Sequence, residues 1–280
     1  MLALPRPVRG GSVNQLRPLL NLDDEDHWIL SVSFLLAAMH PTGPFPLLFL
    51  EGNHGSAKSA MARMLRGLVD PNSAPLRAQP SSARDLAISA QNAWCLGFDN
   101  VSSVPPWLSD SLCRLSTGGG FSTRALYTDG EEKIFSGTRP VILNGIDMCI
   151  RREDLLDRGI FISLPPIRNS RRLTEAEVNS RFEQARPGIL GHLFDAVACA
   201  LRRLPLIKLP DPPRMADFAT LVCAAAPALG WAEDAFINAY ARNRAASNAF
   251  ALEASPLSKP ISRLRIGSRG KGQQLNFWAR

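Results

Sequence analysis

The chain alternates short, unbroken apolar runs with longer segments of helical spacing, the pattern of strands buried on both faces and joined by helices. Phe45 to Leu50 (FPLLFL) is the first such run and predicts a buried strand. Ala93 to Phe98, Pro140 to Leu143 and Ile160 to Leu164 predict three more. Asn21-Leu-Asp-Asp opens a helix that carries apolar residues to Met39, with acids in its first turn where the helix dipole favours them. Lys58 to Leu68 predicts a second helix, Pro80-Ser-Ser-Ala-Arg-Asp starts a third, and a fourth runs from Pro105-Pro106 to about Ser116. Thr123 to Tyr127 and Glu132 to Phe135 flank Asp129-Gly130, a hairpin signal. From Thr174 to Ala251 the pattern is helical, broken near Pro205 to Pro213. Strands alternating with helices predict an α/β fold: a parallel sheet sandwiched by helices, with a small C-terminal helical lid. The expected divisions are a flexible N-terminal segment at 1–20, a core at 21–168, a lid at 169–255 and a basic, disordered tail at 256–280.

Gly52-Asn53-His54-Gly55-Ser56-Ala57-Lys58-Ser59 lies between the first predicted strand and the helix that follows it. A loop that binds phosphate must aim several backbone N–H groups at one anion, and glycines permit the backbone this needs. The helix start adds partial positive charge. The segment therefore reads as a P-loop for ATP, with Lys58 on the β- and γ-phosphates and Ser59 on Mg²⁺. Ala57 stands where the G-x-x-x-x-G-K-[ST] pattern has glycine, which requires a nearly helical backbone there if the methyl is to fit. The second predicted strand ends in Asp99-Asn100. Asp99 supplies the carboxylate that orders Mg²⁺ beside the phosphates. Asn100 occupies the place where hydrolytic members of this class carry a glutamate, so binding is better supported than turnover. The third strand is tipped by Asn144, a residue that in additional-strand NTPases reads the γ-phosphate; a plain strand cap is the alternative. Arg151-Arg-Glu-Asp-Leu-Leu-Asp157-Arg158 precedes the fourth strand, and Arg158 reads either as a cation offered to a neighbouring subunit's nucleotide or as an ion pair within its own helix.

Composition narrows the class. The longest apolar stretch, Trp28 to Met39, falls short of the ~20 residues that span a bilayer, and no secretory signal opens the chain. Its five cysteines are scattered without CxxC pairs, which predicts reduced core thiols in a cytoplasmic protein. The net charge of +7 is concentrated at one end: six Lys and Arg and no acid occupy residues 256–280, leaving +1 over the rest.

The order of these parts resembles a known family. The loop, Asp99, a helix, Thr117-Gly-Gly-Gly, Arg124-x-Leu-Tyr127, a hairpin and the Asn144 strand are similar to the ATPase domain of superfamily 3 helicases. The likeness is to the helicase part of phage and plasmid primase–helicases, within the AAA+ class. It covers residues 45–168, with the helices to about 255 matching more loosely. It implies an AAA+ ATPase acting as a homo-oligomer on single-stranded or duplex DNA in replication of a mobile element. It also implies that the hairpin grips DNA, yet Asp129, Glu131 and Glu132 outnumber Lys133 there, a poor surface for a phosphate backbone. Two alternatives stay open: a non-motor, nucleotide-dependent switch, and a truncated, inactive remnant with weak hydrolysis.

Overall fold

The computed structural model describes residues 2–119, 121–124, 132–135, 137–146, 148, 150, 152–168, 170 and 172–253. Arg151, the hairpin turn with Asp129 and Gly130, and the basic tail lie outside the described residues. In chain order the elements are α1 (Glu25–Met39), β1 (Leu47–Glu51), α2 (Lys58–Val69), α3 (Ala83–Gln91), β2 (Leu96–Phe98) and α4 (Pro106–Thr117). There follow β3 (Phe121–Arg124), β4 (Glu132–Phe135), β5 (Val141–Gly145), α5 (Glu153–Leu156), β6 (Gly159–Ser163), α6 (Glu175–Arg203), α7 (Ala216–Leu229) and α8 (Ala235–Glu253).

Four strands form one parallel sheet in the order β2-β5-β1-β6. β3 and β4 pair antiparallel as a separate ribbon, with Phe121 opposite Phe135; its first strand begins two residues before the Thr123 expected from sequence. The mixed α/β class, the parallel sheet and its helical cover agree with the hydrophobic pattern. Along β1 the two-residue period divides the side chains: Leu48 and Leu50 enter one core, Leu47 and Phe49 the other. The first core is built with α1, α2 and α6 to α8, the second with α3, α4 and α5. α1 is buried on every side from Trp28 to Ala38, and the hydroxyls of Ser31 and Ser33 are satisfied by donating to the carbonyls of His27 and Ile29, each at 2.7 Å.

The N-terminal segment and the C-terminal helices both pack against the central elements. Residues 2–20 are folded onto the body: Val13, Leu16 and Leu20 are buried, and the Val13 N–H donates to His192 Nδ1 of α6 at 2.8 Å. Gly11 and Gly188 let the two backbones touch, since a Cβ on Gly11 would lie 2.3 Å from Gly188 Cα. Leu190, Leu193, Phe218 and Tyr240 share one core with α1 and β1. No helix among the described residues is long and apolar enough to cross a membrane.

Two features fix the sheet's flanks. Asn243 of α8 lies against the outer edge of β6, its amide oxygen accepting from the Phe161 N–H (3.0 Å) and its Nδ2 donating to the Phe161 carbonyl (2.6 Å). On the other flank Arg66 and Asp70 form a fully buried pair at 3.5 Å. Asp70 Oδ2 also accepts from the N–H groups of Trp94 (2.9 Å) and Cys95 (3.0 Å), while Arg66 donates to the Ala74 carbonyl at 3.1 Å. Removing one partner of a buried pair strands the other charge, so Asp70→Ala is expected to cost about 3–5 kcal/mol. Denaturant titration checks this; a loss below about 1 kcal/mol, the scale of an exposed pair, would show that the site tolerates the change. Burial beside this pair pushes the Cys95 thiol up to about 12, as expected of a reduced core thiol.

Candidate nucleotide site

The loop from Gly52 to Ser59 joins the end of β1 to α2 at the C-terminal edge of the sheet. Gly52 has φ +152°, and a Cβ there would meet the Leu164 carbonyl oxygen at 2.6 Å and Ser56 Oγ at 2.8 Å, so only glycine fits. Asn53, His54 and Gly55 form an exposed crest, while Ser56 is buried. Lys58 folds back along the loop, its Nζ donating to the carbonyls of Gly52 (2.6 Å) and Asn53 (2.9 Å). Desolvation lowers the Lys58 pKa, and the charge of Asp99 opposes that shift.

Ala57 caps α2 with φ 66° and ψ 24°, a left-handed conformation. The nearly helical backbone expected for an alanine here is therefore not what the loop adopts. The Cβ pays about 1–2 kcal/mol for this conformation. Ala57→Gly is expected to stabilise the protein by about 1 kcal/mol, less than the full strain because glycine loses more entropy on folding. An unchanged or lowered unfolding midpoint would contradict this.

Around the loop the strand ends converge. Ser59 Oγ donates to Asp99 Oδ1 at 2.9 Å. The Asn100 N–H donates to Asp99 Oδ1 (3.0 Å) and to Asn144 Oδ1 (3.1 Å). Asn144 is 1% exposed, and its Nδ2 is a buried donor without a hydrogen-bond partner. Together His54 to Ser59 of the loop, Asp99, Asn100 and Asn144 line a cavity of about 420 Å³. Asn100 is exposed and itself left-handed, at φ 56°, a conformation asparagine accepts more readily than most residues. Its backbone N–H, rather than its side chain, joins the two carboxyl and amide groups.

Arg158 is not brought to this cavity. It precedes β6 at the opposite edge of the sheet, where its guanidinium donates to the Asp154 carbonyl (2.7 Å) and to the Asp154 carboxylate. Arg214 shares Asp154 and Asp157, and Arg244 pairs with Asp157 at 2.6 Å. The ion pair within its own helical turn is the contact the structure shows. Arg63, Gly145 and Ile146 also line the cavity and were not anticipated. The spacing of Ser59 and Arg63, four residues apart on one helix, places them on the same face and was a readable signal. Arg63 pairs with Glu175 at 2.7 Å, and an Arg172 nitrogen lies 3.3 Å from where a Gly55 Cβ would stand. These last two come from the segment entering α6 and had no local sequence signal. Among the described residues no group of three or more His, Cys, Asp or Glu side chains is arranged to hold a metal ion.

No curated protein matches the sequence. Among solved structures, the C-terminal region of NrS-1 is similar at 15% identity over 67% of this chain and 46% of that one, with a TM-score of 0.47. JCV helicase is similar at 14% identity over 91% of this chain and 63% of that one, with a TM-score of 0.35. The chain thus spans less than two thirds of the length of either structure. The profile of the actinomycete integrative conjugative element replication proteins matches residues 13–244, a span that includes every element from α1 to α7 and most of α8. The chain belongs to this family of replication proteins.

Proposed function

We propose that the chain is an ATP-binding, Mg²⁺-dependent P-loop ATPase of the AAA+ class that acts on DNA as a helicase-like oligomer during replication of an integrative element. The observation that carries this reading is the strand order: β5, tipped by Asn144, lies between β1, which leads into the loop, and β2, which ends at Asp99. That interposed strand is the arrangement expected of an additional-strand NTPase.

The residues fit the group they are proposed to hold. The loop residues His54 to Ser59 line the cavity, and so does Asn144, whose buried Nδ2 has no hydrogen-bond partner. Lys58, whose Nζ donates to the carbonyls of Gly52 and Asn53, would hold the β- and γ-phosphate oxygens. Ser59 and Asp99, already in contact, would hold Mg²⁺, which would supply positive charge beside the phosphates. Asn144 Nδ2 donates to a terminal phosphate oxygen or to the attacking water. Asn100 contributes no carboxylate, so turnover is slow unless a partner supplies what is missing. In this reading Arg158 leaves Asp154 to serve a neighbouring subunit.

A second reading, the nucleotide-dependent switch, is favoured by Asn100 and by the acidic residues of the hairpin. ATP turnover measured with and without single-stranded and duplex DNA separates the two. The motor predicts Mg²⁺-dependent turnover raised by DNA; tight ATP binding with turnover indifferent to DNA favours the switch, and no ATP binding overturns both.

A further inference from the structure

A loop that aims N–H groups at an anion must turn its carbonyls inward, where each needs a donor. Lys58 serves the carbonyls of Gly52 and Asn53. The carbonyl of Ser56 is served by Asn21, whose Nδ2 donates to it at 3.1 Å and to the Pro165 carbonyl at 2.5 Å. Asn21 belongs to no helix or strand; it follows the packed N-terminal segment and precedes α1. Its amide bridges partners 35 and 144 residues away.

The Ser56 carbonyl and the Ala57 N–H belong to one planar, trans peptide unit, so they point in opposite directions. Holding the carbonyl toward Asn21 aims the Ala57 N–H the other way, and Ala57 lines the cavity. A flip of this plane would carry the φ of Ala57 by about 180°, out of the left-handed region and into negative φ, where the Cβ is less crowded. The methyl group therefore favours the flip. The Asn21 hydrogen bond opposes it.

Resting on the nucleotide reading above, we propose that Asn21 is a positioning residue of the phosphate-binding loop: it holds the Ser56–Ala57 peptide in the anion-binding orientation and so compensates for an alanine where the loop adopts a left-handed backbone. Glycine at position 57 has no Cβ strain to relieve, so it needs this restraint less.

The experiment is a double-mutant cycle on the full chain with wild type, Asn21→Asp, Ala57→Gly and the double variant. Asp keeps the shape of Asn but presents only acceptors, so it repels the two carbonyls. ATP·Mg²⁺ titration calorimetry is expected to show about tenfold weaker binding in Asn21→Asp, the scale of one lost hydrogen bond, and less than about threefold in the Ala57→Gly background. The same cycle on unfolding midpoints, without nucleotide, is expected to show a smaller loss for Asn21→Asp when position 57 is glycine. Equal losses in both backgrounds, or unchanged ATP affinity in Asn21→Asp, overturn the proposal. If the wild type binds no ATP, the nucleotide reading fails, and coupling in the unfolding midpoints still decides whether Asn21 restrains this peptide. Asn21→Ala serves in the same cycle should the Asp variant not fold.

Discussion

Lys58→Ala is expected to abolish measurable ATP·Mg²⁺ binding while the chain stays folded. The ammonium stands on the loop within 2.9 Å of two carbonyl oxygens, so it is already where phosphate oxygens would replace them. Hydrogen bonds to charged groups contribute about 1.5–3 kcal/mol each. Loss of two such contacts weakens binding by about 10²- to 10⁴-fold, which carries a micromolar affinity to about 0.1–10 mM. The fold survives because the variant removes a part-exposed side chain and its carbonyl partners can turn to water. Titration calorimetry beside circular dichroism gives the answer. Unchanged affinity in a folded variant would remove the claim that this loop is the phosphate site.

Arg158→Ala carries the second large effect. Arg158 and the end of β6 are separated by the five residues of that strand, a distance of about 16 Å. The side chain therefore stands far from its own cavity, so a direct role in chemistry would require a neighbouring subunit. As a trans-acting cation its loss is expected to cut turnover by about 10³- to 10⁵-fold with ATP affinity nearly unchanged. Mixing Arg158→Ala with Lys58→Ala subunits then restores part of the activity, because each retains what the other lacks at a shared interface. Wild-type turnover per subunit should also rise with protein concentration. As an internal ion pair with Asp154 alone, the same substitution costs about 0.5 kcal/mol of stability and leaves turnover intact. A mixture without recovery, together with turnover independent of concentration, would favour the internal pair and a monomeric switch.

The sheet and the loop were legible because two-sided burial writes continuous apolar runs, and Phe45 to Leu50 could hardly be anything but a central strand. The strand beginning at Ala93 was placed three residues early. Trp94 and Cys95 are apolar enough to continue it, but their N–H groups turn to Asp70, a partner the local pattern does not reveal. The convergence of Asp99 and Asn144 on the loop followed from their positions at strand ends. The Asn100 N–H bonds to Asp99 and Asn144, and its left-handed φ, have no counterpart in the local sequence pattern. Within residues 2–20, proline, arginine and glycine dilute three buried anchors, Val13, Leu16 and Leu20. Their partners sit on α6, far along the chain, and no local periodicity records them. Asn21 and Arg172 were invisible for the same reason: each acts through groups distant in sequence.

The amide of Asn243 has a consequence for how copies of the chain can meet. By bonding both the N–H and the carbonyl of Phe161, it occupies the middle of an edge that an incoming strand would otherwise pair with. β6 is thus closed to sheet extension by a side chain standing in for a neighbouring strand. Copies cannot be stitched edge to edge along β6 as in strand-exchanged dimers or fibrils. Any assembly on that flank has to be made by side chains, contacts that can loosen and re-form without tearing a backbone ladder.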